Sequence, residues 1–270
     1  MKYKLFLSDY EGTLGVAPEN DIDEQTANAI KEYQKRGGKF VICTGRAYGS
    51  LLDIVDKKGI NCLLAGFQGA FIRQAHAPDY LFYGGIEKDL AKKIIKVLLK
   101  EKFQVVAYQN DVMYYQGDGS LVDKYMIFIN SSGVKKVDDL EKAIVGTVSK
   151  MVVLCPEELS DQTVEKVRSM VADDTISVNA AVKGCVEIIN NRLDKANAVR
   201  IIAEYYNIPC DQIITVGDSD NDIGLVGGGA WHGVAVGDAR EELKAVAKEV
   251  TVPFKEKAVK YLLEKYCLND

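Results

Sequence analysis

Short apolar runs alternate with segments of helical period at both ends of this chain, and a different pattern fills the middle. Lys4-Leu5-Phe6-Leu7-Ser8 reads as a strand. Asp21, with Glu24 three residues on, has the spacing of a capping box and predicts a helix running to Arg36 and stopping at Gly37-Gly38. Lys39 to Cys43 is a second strand, followed by a helix through Lys57 and a third strand from Cys62 to Ala65. From about Gly84 the pattern becomes a helix (Ile86 to Lys102) and a hairpin, Phe103 to Tyr108 with Val112 to Tyr115, turning at Asn110-Asp111. A strand (Lys124 to Ile129), a helix (Val137 to Val145), a strand (Lys150 to Leu154), a helix (Ser160 to Val171) and strands at Thr175 to Asn179 and Val186 to Ile189 complete that middle part. The alternation then resumes: helix Lys195 to Tyr206, strand Gln212 to Val216, strand Trp231 to Val236, helix Arg240 to Lys248, strand Val250 to Val252 and a last helix from Lys255 to Tyr266. Strand, helix, strand in sequence predicts a parallel sheet, whereas the hairpin belongs to an antiparallel one. The predicted fold is therefore α/β: a Rossmann-like parallel-sheet core, residues 1–83 and 188–270, interrupted by an inserted α+β domain at 84–187.

Composition narrows the function classes. With 47% hydrophobic and 27% charged residues in 270, the chain is ordinary globular material rather than disordered or fibrous. A net charge of −5 and the lack of a basic run with interleaved aromatics argue against a nucleic-acid partner. Asp9 and Glu11 interrupt any signal-peptide core, and the longest uncharged run, Ile223 to Gly237, is too short for a bilayer. A cytoplasmic protein without a membrane segment is the expectation. Six cysteines show no CxxC pair and read as reduced, mostly buried thiols. Only His76 and His232 offer imidazoles, which leaves little material for a histidine metal site or a Ser-His-Asp triad, so any metal must prefer oxygen.

Oxygen ligands are plentiful at two strand ends. Asp9 and Glu11 follow the first strand, and Asp218, Asp220 and Asp222 follow the strand at Gln212 to Val216. In open α/β sheets ligands bind at the carboxyl ends of strands, so these acids meet substrate rather than core. So many converging carboxylates need a cation between them, and Mg²⁺ suits hard oxygen donors and phosphate-bearing substrates. Lys195 at one helix start and Thr44-Gly45 at another offer a positive charge, a hydroxyl and N–H groups to phosphoryl oxygens. Taken singly, each has an ordinary reading as a turn residue, cap or solvated charge. Asp218-x-Asp220-x-Asp222 also imitates the start of an EF-hand loop, but Ile223 stands where that loop needs Gly and Gly229 where it needs Glu. No GxGxxG or P-loop follows any strand.

Asp9-x-Glu11-Gly12-Thr13, Thr44-Gly45-Arg46, Lys195 and Gly217-Asp218-x-x-Asn221-Asp222, in this order, resemble the four signatures of the haloacid dehalogenase-like hydrolase superfamily. Gly66 to Ala70, Val234 to Ala239 and the inserted domain resemble its Cof-type sugar-phosphate phosphatases. The resemblance implies a Mg²⁺-dependent phosphatase of a small phosphorylated metabolite, working through an aspartyl-phosphate. Asp9 would be the nucleophile and Glu11 the acid and base. Asp9, Asp218 and the Glu11 backbone carbonyl would hold the metal, with Asp222 among the metal-side carboxylates. Thr44, Gly45, Arg46, Lys195 and Asn221 would bind or orient the phosphoryl group, and the inserted domain would be a cap that selects the leaving group. A monomer or homodimer is implied. The chain departs from the pattern at Glu11, where the family carries a second aspartate, at Gln68, where it carries asparagine, and at Phe254-Lys255-Glu256-Lys257, where it carries Asp-Gly. Alternatives are a phosphomutase with a similar cap, and a phosphate-ligand binding protein whose turnover was lost at Glu11.

Overall fold

The computed structural model describes residues 1–16, 21–129 and 133–269. Strand β1 (Leu5–Ser8) is buried along its whole length, as a strand covered on both faces must be. Helix α1 (Glu24–Lys35) starts at Asp23, whose carboxylate accepts from the Gln25 and Thr26 N–H groups at 3.0 and 3.1 Å, so the cap lies two residues beyond the predicted one. Then come β2 (Lys39–Cys43), α2 (Tyr48–Lys58), β3 (Leu63–Gly66), β4 (Phe71–Gln74) and β5 (Phe82–Tyr83). The middle of the chain supplies α3 (Lys88–Lys100), β6 (Gln104–Gln109), β7 (Val112–Tyr115), α4 (Ser120–Ile129), β8 (Gly133–Lys136), α5 (Leu140–Ala143), β9 (Lys150–Leu154), α6 (Ser160–Met170), β10 (Ile176–Val182) and β11 (Cys185–Asn190). The last part holds α7 (Lys195–Tyr206), β12 (Ile213–Gly217), α8 (Ile223–Gly227), β13 (His232–Ala235), α9 (Glu241–Val246), β14 (Glu249–Val250) and α10 (Ala258–Leu263).

The strands form two sheets, one in the order β14-β13-β12-β1-β2-β3-β4-β5 and one in the order β10-β11-β9-β6-β7-β8. In the first, the pairs from β14 through β3 are parallel and β4 returns antiparallel to β3. Beneath it, Leu5, Leu7, Val41 and Cys43 pack with Ala198, Val199 and Ile202 of α7. In the second, Val105, Met151, Val153, Val186 and Ile188 pack against Ile94, Ile95 and Leu98 of α3 and Val164 and Val167 of α6. Each large aliphatic side chain so buried stabilises the fold by roughly 2 kcal/mol.

The chain divides into two compact units, Met1–Gly45 with Leu51–Phe82 and Asp194–Asp270, and Arg46–Ser50 with Tyr83–Leu193. Strand β11 runs past residue 188 within the second sheet, so the change of unit comes at Asp194. The first unit is the α/β parallel-sheet core and the second the inserted α+β part. No helix among the described residues is long and apolar enough to cross a membrane.

Several predicted elements take another form. The run from Lys124 to Ile129 is helical, within α4, because Asp118 accepts from the Ser120 N–H at 3.1 Å and hydroxyl at 3.2 Å and starts a helix that buries Val122 and Tyr125. The Tyr125 hydroxyl donates to the Cys155 carbonyl at 3.0 Å. The helix expected over Val137 to Val145 is limited to α5, capped by Asp139. The last helix is interrupted at Lys257, whose φ of +60° separates a short 3₁₀ turn from α10. Strands β4, β5 and β8 were not predicted.

Candidate active site

Register brings the site together. Ser8 of β1 lies opposite Ile42 of β2 and Val216 of β12, so the residues following these strands emerge at one edge of the sheet. β1 is also where the strand order reverses, running to β2 on one side and to β12 on the other, and such a point opens a crevice at the strands' carboxyl ends. Asp9 carries the pairing one step further, its N–H donating to the Val216 carbonyl at 2.9 Å. The chain then folds back: the Leu14 and Gly15 N–H groups both donate to the Tyr10 carbonyl, at 2.9 and 2.8 Å. Glu11 lies half-buried in this loop, bridged to Gly15. Gly12 has φ +67°, and a Cβ on it would lie 2.5 Å from Asp218 Oδ2, so a side chain there is excluded by both conformation and space.

After β12, Ser219 and Asp222 form a capping box. Asp222 is fully buried, and its Oδ2 accepts from the backbone N–H groups of Asp218 and Ser219 at 3.1 and 3.2 Å. Its Oδ1 accepts from Lys195 Nζ at 2.6 Å, and the same ammonium donates to Asp9 Oδ1 at 2.6 Å. Lys195 is 1% exposed and opens α7 beside its N-cap, Asp194, which accepts from the Asn197 N–H at 2.7 Å.

Carboxylate oxygens of Asp9, Asp218 and Asp222 lie within 4.8 Å of one another, so one buried ammonium faces three acids. Burial first and then the Asp222 charge push the Asp9 carboxyl up to about 8 against the opposing pull of Lys195, with a smaller upward push from Asp218. Burial and the Asp222 charge push Asp218 up to about 6. Burial pulls Lys195 down, but the Asp222 and Asp9 charges outweigh it and hold the ammonium above its ordinary value. Asp218 Oδ1 is buried with no hydrogen-bond partner among the described residues. An all-oxygen donor set, excess negative charge and an orphaned carboxylate oxygen suit a hard divalent cation. Both Asp222 oxygens accept hydrogen bonds that anchor Lys195 and the turn, and Asp9, Asp218 and Asp222 each offer a carboxylate oxygen that could reach a cation.

The sequence pattern of the haloacid dehalogenase-like hydrolases matches residues 6–263. The chain belongs to this family. Among relatives of this hydrolase, 5-amino-6-(5-phospho-D-ribitylamino)uracil phosphatase YitU of Bacillus subtilis is 28% identical, with 97% of each chain covered. Phosphatase YwpJ of the same organism is 26% identical over 97% of this chain and 99% of its own. The crystal structure of TM0651 from Thermotoga maritima has the same fold, with a TM-score of 0.86 at 24% identity and 97% of both chains covered.

The remaining predicted site residues of the hydrolase are spread more widely. Thr44 is buried at the end of β2, its N–H donating to the Ala65 carbonyl and its carbonyl accepting from the Gln68 N–H, both at 2.9 Å; Gly45 follows in the same turn. Arg46 groups with the second unit and donates to Ser50 Oγ at 3.1 Å. Asn221 is exposed, and its Oδ1 accepts from the Ser219 hydroxyl at 2.9 Å. Asp220, expected with the converging acids, faces outward and pairs with Arg240 at 3.1 Å, because the first position of the 3₁₀ turn points away from the strand end. Ser219 was not singled out in the sequence, although its Ser-x-x-Asp spacing to Asp222 is the readable signal of the box. Cys43, in the strand below, is fully buried, and burial pushes its thiol up to about 12, so it is no nucleophile.

Proposed function

We propose that this hydrolase is a phosphatase of a small phosphorylated metabolite, a sugar or polyol phosphate, using Mg²⁺ and an aspartyl-phosphate on Asp9. The observation that carries this reading is the buried chain Asp9–Lys195–Asp222 beside the orphaned oxygen of Asp218. The names of the relatives YitU and YwpJ support it, and YitU's name specifies a phosphorylated ribityl compound.

With Asp9 Oδ1 held by Lys195, Oδ2 attacks phosphorus as the ester P–O bond breaks. Glu11 gives its proton to the departing alkoxide. It then takes a proton from water, whose oxygen attacks phosphorus, breaking the Asp9 O–P bond and releasing inorganic phosphate. Thr44, Gly45 and Lys195 bind phosphoryl oxygens, and Asp222 keeps the ammonium aimed. Asp9, Asp218 and the Glu11 carbonyl would hold Mg²⁺, which supplies charge neutralisation for the phosphoryl group. The test is phosphate release from a panel of phosphomonoesters with Mg²⁺ and with chelator; a panel without release in Mg²⁺ overturns the reading.

Glu11 is one methylene longer than aspartate, about 1.5 Å of reach, and a loop built around that length leaves Asp short of the leaving oxygen. Glu11→Asp is expected to lower kcat by about ten- to a hundredfold. A gain in kcat would instead mark the wild type as a binder that lost turnover.

The acid cluster also sets a pH dependence. Asp9 and Asp218 have folded-state values above the ordinary 3.8, at about 8 and about 6, so between these limits the folded chain binds more protons than the unfolded one. Their contribution to metal-free stability therefore falls as pH rises from about 4 to about 8. A bound cation removes the repulsion and needs deprotonated ligands. The melting-temperature gain on adding Mg²⁺ is expected to be larger at pH 8 than at pH 5, by differential scanning fluorimetry; a gain independent of pH would contradict this.

A further inference from the structure

We propose that Gln68 contacts the substrate, its carboxamide hydrogen-bonding an oxygen of the phosphorylated compound beside the Thr44–Gly45 turn; the inference rests on the phosphatase reading above. Three successive residues after β3 have positive φ: Phe67 at 48°, Gln68 at 61° and Gly69 at 94°. Glycine takes such angles freely, but Phe and Gln do so at a cost and without the short polar side chain that eases Asn or Asp into them. Backbone strain of this kind persists only where the surroundings over-determine it, and it concentrates at functional sites.

The anchors here are specific. The Gln68 N–H donates to the Thr44 carbonyl at 2.9 Å, tying the turn to the end of β2. Phe67 is 3% exposed and stands edge-on to Phe71, with ring centroids 5.5 Å apart. Gly69 lies so close to α7 that a Cβ on it would come 2.7 Å from the Asp194 carbonyl, and Asp194 caps the helix that begins with Lys195. The strained turn thus touches both elements assigned to the phosphoryl group, the Thr44–Gly45 turn and the start of α7.

What this conformation achieves is the placement of one side chain. Gln68 Nε2 lies 2.8 Å from where a Cβ on Gly45 would be, so the carboxamide rests against the phosphoryl-binding turn. Its Oε1 is buried with no hydrogen-bond partner among the described residues. A buried amide oxygen left unpaired weakens the fold, whereas leucine would fill the same space without that cost. A half-turn about the last side-chain bond exchanges O and N, so the inward atom can accept from a hydroxyl or donate to a phosphoryl oxygen. A phosphorylated polyol offers both.

The test compares wild type with Gln68→Leu, Gln68→Gly and Gln68→Asn. It measures ligand-free melting temperature, kcat/KM on an ester the wild type hydrolyses, and competitive inhibition by inorganic phosphate. Gln68→Leu is expected to melt no lower than wild type, and Gln68→Gly higher because the strain is relieved. Both should lose about tenfold in kcat/KM, the scale of one hydrogen bond to a charged group. Gln68→Asn, which keeps the amide and suits the turn, should recover part of that loss. Weaker inhibition by phosphate in the Leu and Gly variants assigns the bond to the phosphoryl group; unchanged inhibition with reduced kcat/KM assigns it to the leaving group. Leu and Gly variants both within about twofold of wild type in kcat/KM and inhibition would overturn the proposal and leave Gln68 a structural residue. If that happens while Asp9→Asn still abolishes hydrolysis, the phosphatase reading stands. A wild type that neither hydrolyses an ester nor binds phosphate removes both.

Discussion

Asp9→Asn is expected to reduce phosphate release by at least about four orders of magnitude, the scale on which removing a covalent nucleophile acts. Asparagine has the size of aspartate, and its amide oxygen can still accept from Lys195 Nζ, which reaches Asp9 Oδ1 at 2.6 Å, so the fold has no cavity to close. What is lost is the second carboxylate oxygen that attacks phosphorus. The substitution also removes one of three clustered negative charges from a position 3% exposed. Without metal, at pH 8, the variant should therefore melt no lower than wild type, since the cost of burying the charge and the repulsion from Asp222, which together push Asp9 up to about 8, are gone. Loss of activity with stability kept separates a chemical role from a structural one. Mass spectrometry of acid-quenched protein after mixing with substrate should show a phosphoryl adduct on the wild type and none on the variant. Turnover surviving in Asp9→Asn would discard the aspartyl-phosphate mechanism.

The parts of this site that could be read in the sequence are those set by local rules. An apolar run ending in an acid marks β1 and Asp9, and another marks β12 and Asp218, because a strand's end and its first polar residue are adjacent in the chain. Helix α7 was legible from Lys195 to Tyr206, its periodicity being undisturbed. Side-chain direction was not legible. Asp218, Asp220 and Asp222 look alike in sequence, yet one has an orphaned buried oxygen, one is turned to Arg240, and one has both oxygens engaged by hydrogen bonds. That sorting is made by the 3₁₀ turn and by the ammonium of Lys195, which stands 23 positions before Asp218 in the sequence. The apolar run at Lys124 was ambiguous for another reason: six residues without strong periodicity suit strand or buried helix equally, and the tie is broken by the turn at Asp118. The strain at Phe67 to Gly69 is invisible in sequence because Phe and Gln do not advertise positive φ as glycine does.

Lys195→Met is expected to cost both stability and activity, and to do so in a pH-dependent way. The ammonium is 1% exposed and donates at 2.6 Å to each of two buried carboxylates. Methionine fills most of the volume but leaves Asp9 and Asp222 facing each other without a counter-charge. Breaking a buried ion pair by removing one partner costs about 3–5 kcal/mol, which is roughly 10 °C in melting temperature for a unit of this size. The sign with pH follows from the acids left behind. Asp9, pushed up to about 8 even with the ammonium beside it, is raised further without it, so the penalty is larger at pH 8 than at pH 5, where this buried carboxyl is protonated with or without Lys195. Magnesium should recover only part of the loss, because Asp222 Oδ1 has lost its donor while Oδ2 remains held by the turn. Adding Asp222→Asn to Lys195→Met removes one of the unpaired charges and should restore several degrees without restoring phosphate release, since the phosphoryl group still lacks its ammonium. Thermal melts of the single and double variants at pH 5 and pH 8 decide the matter. A Lys195→Met protein as stable as wild type at pH 8 would mean that the two carboxylates do not share one buried cation, and the electrostatic basis of the site would have to be abandoned.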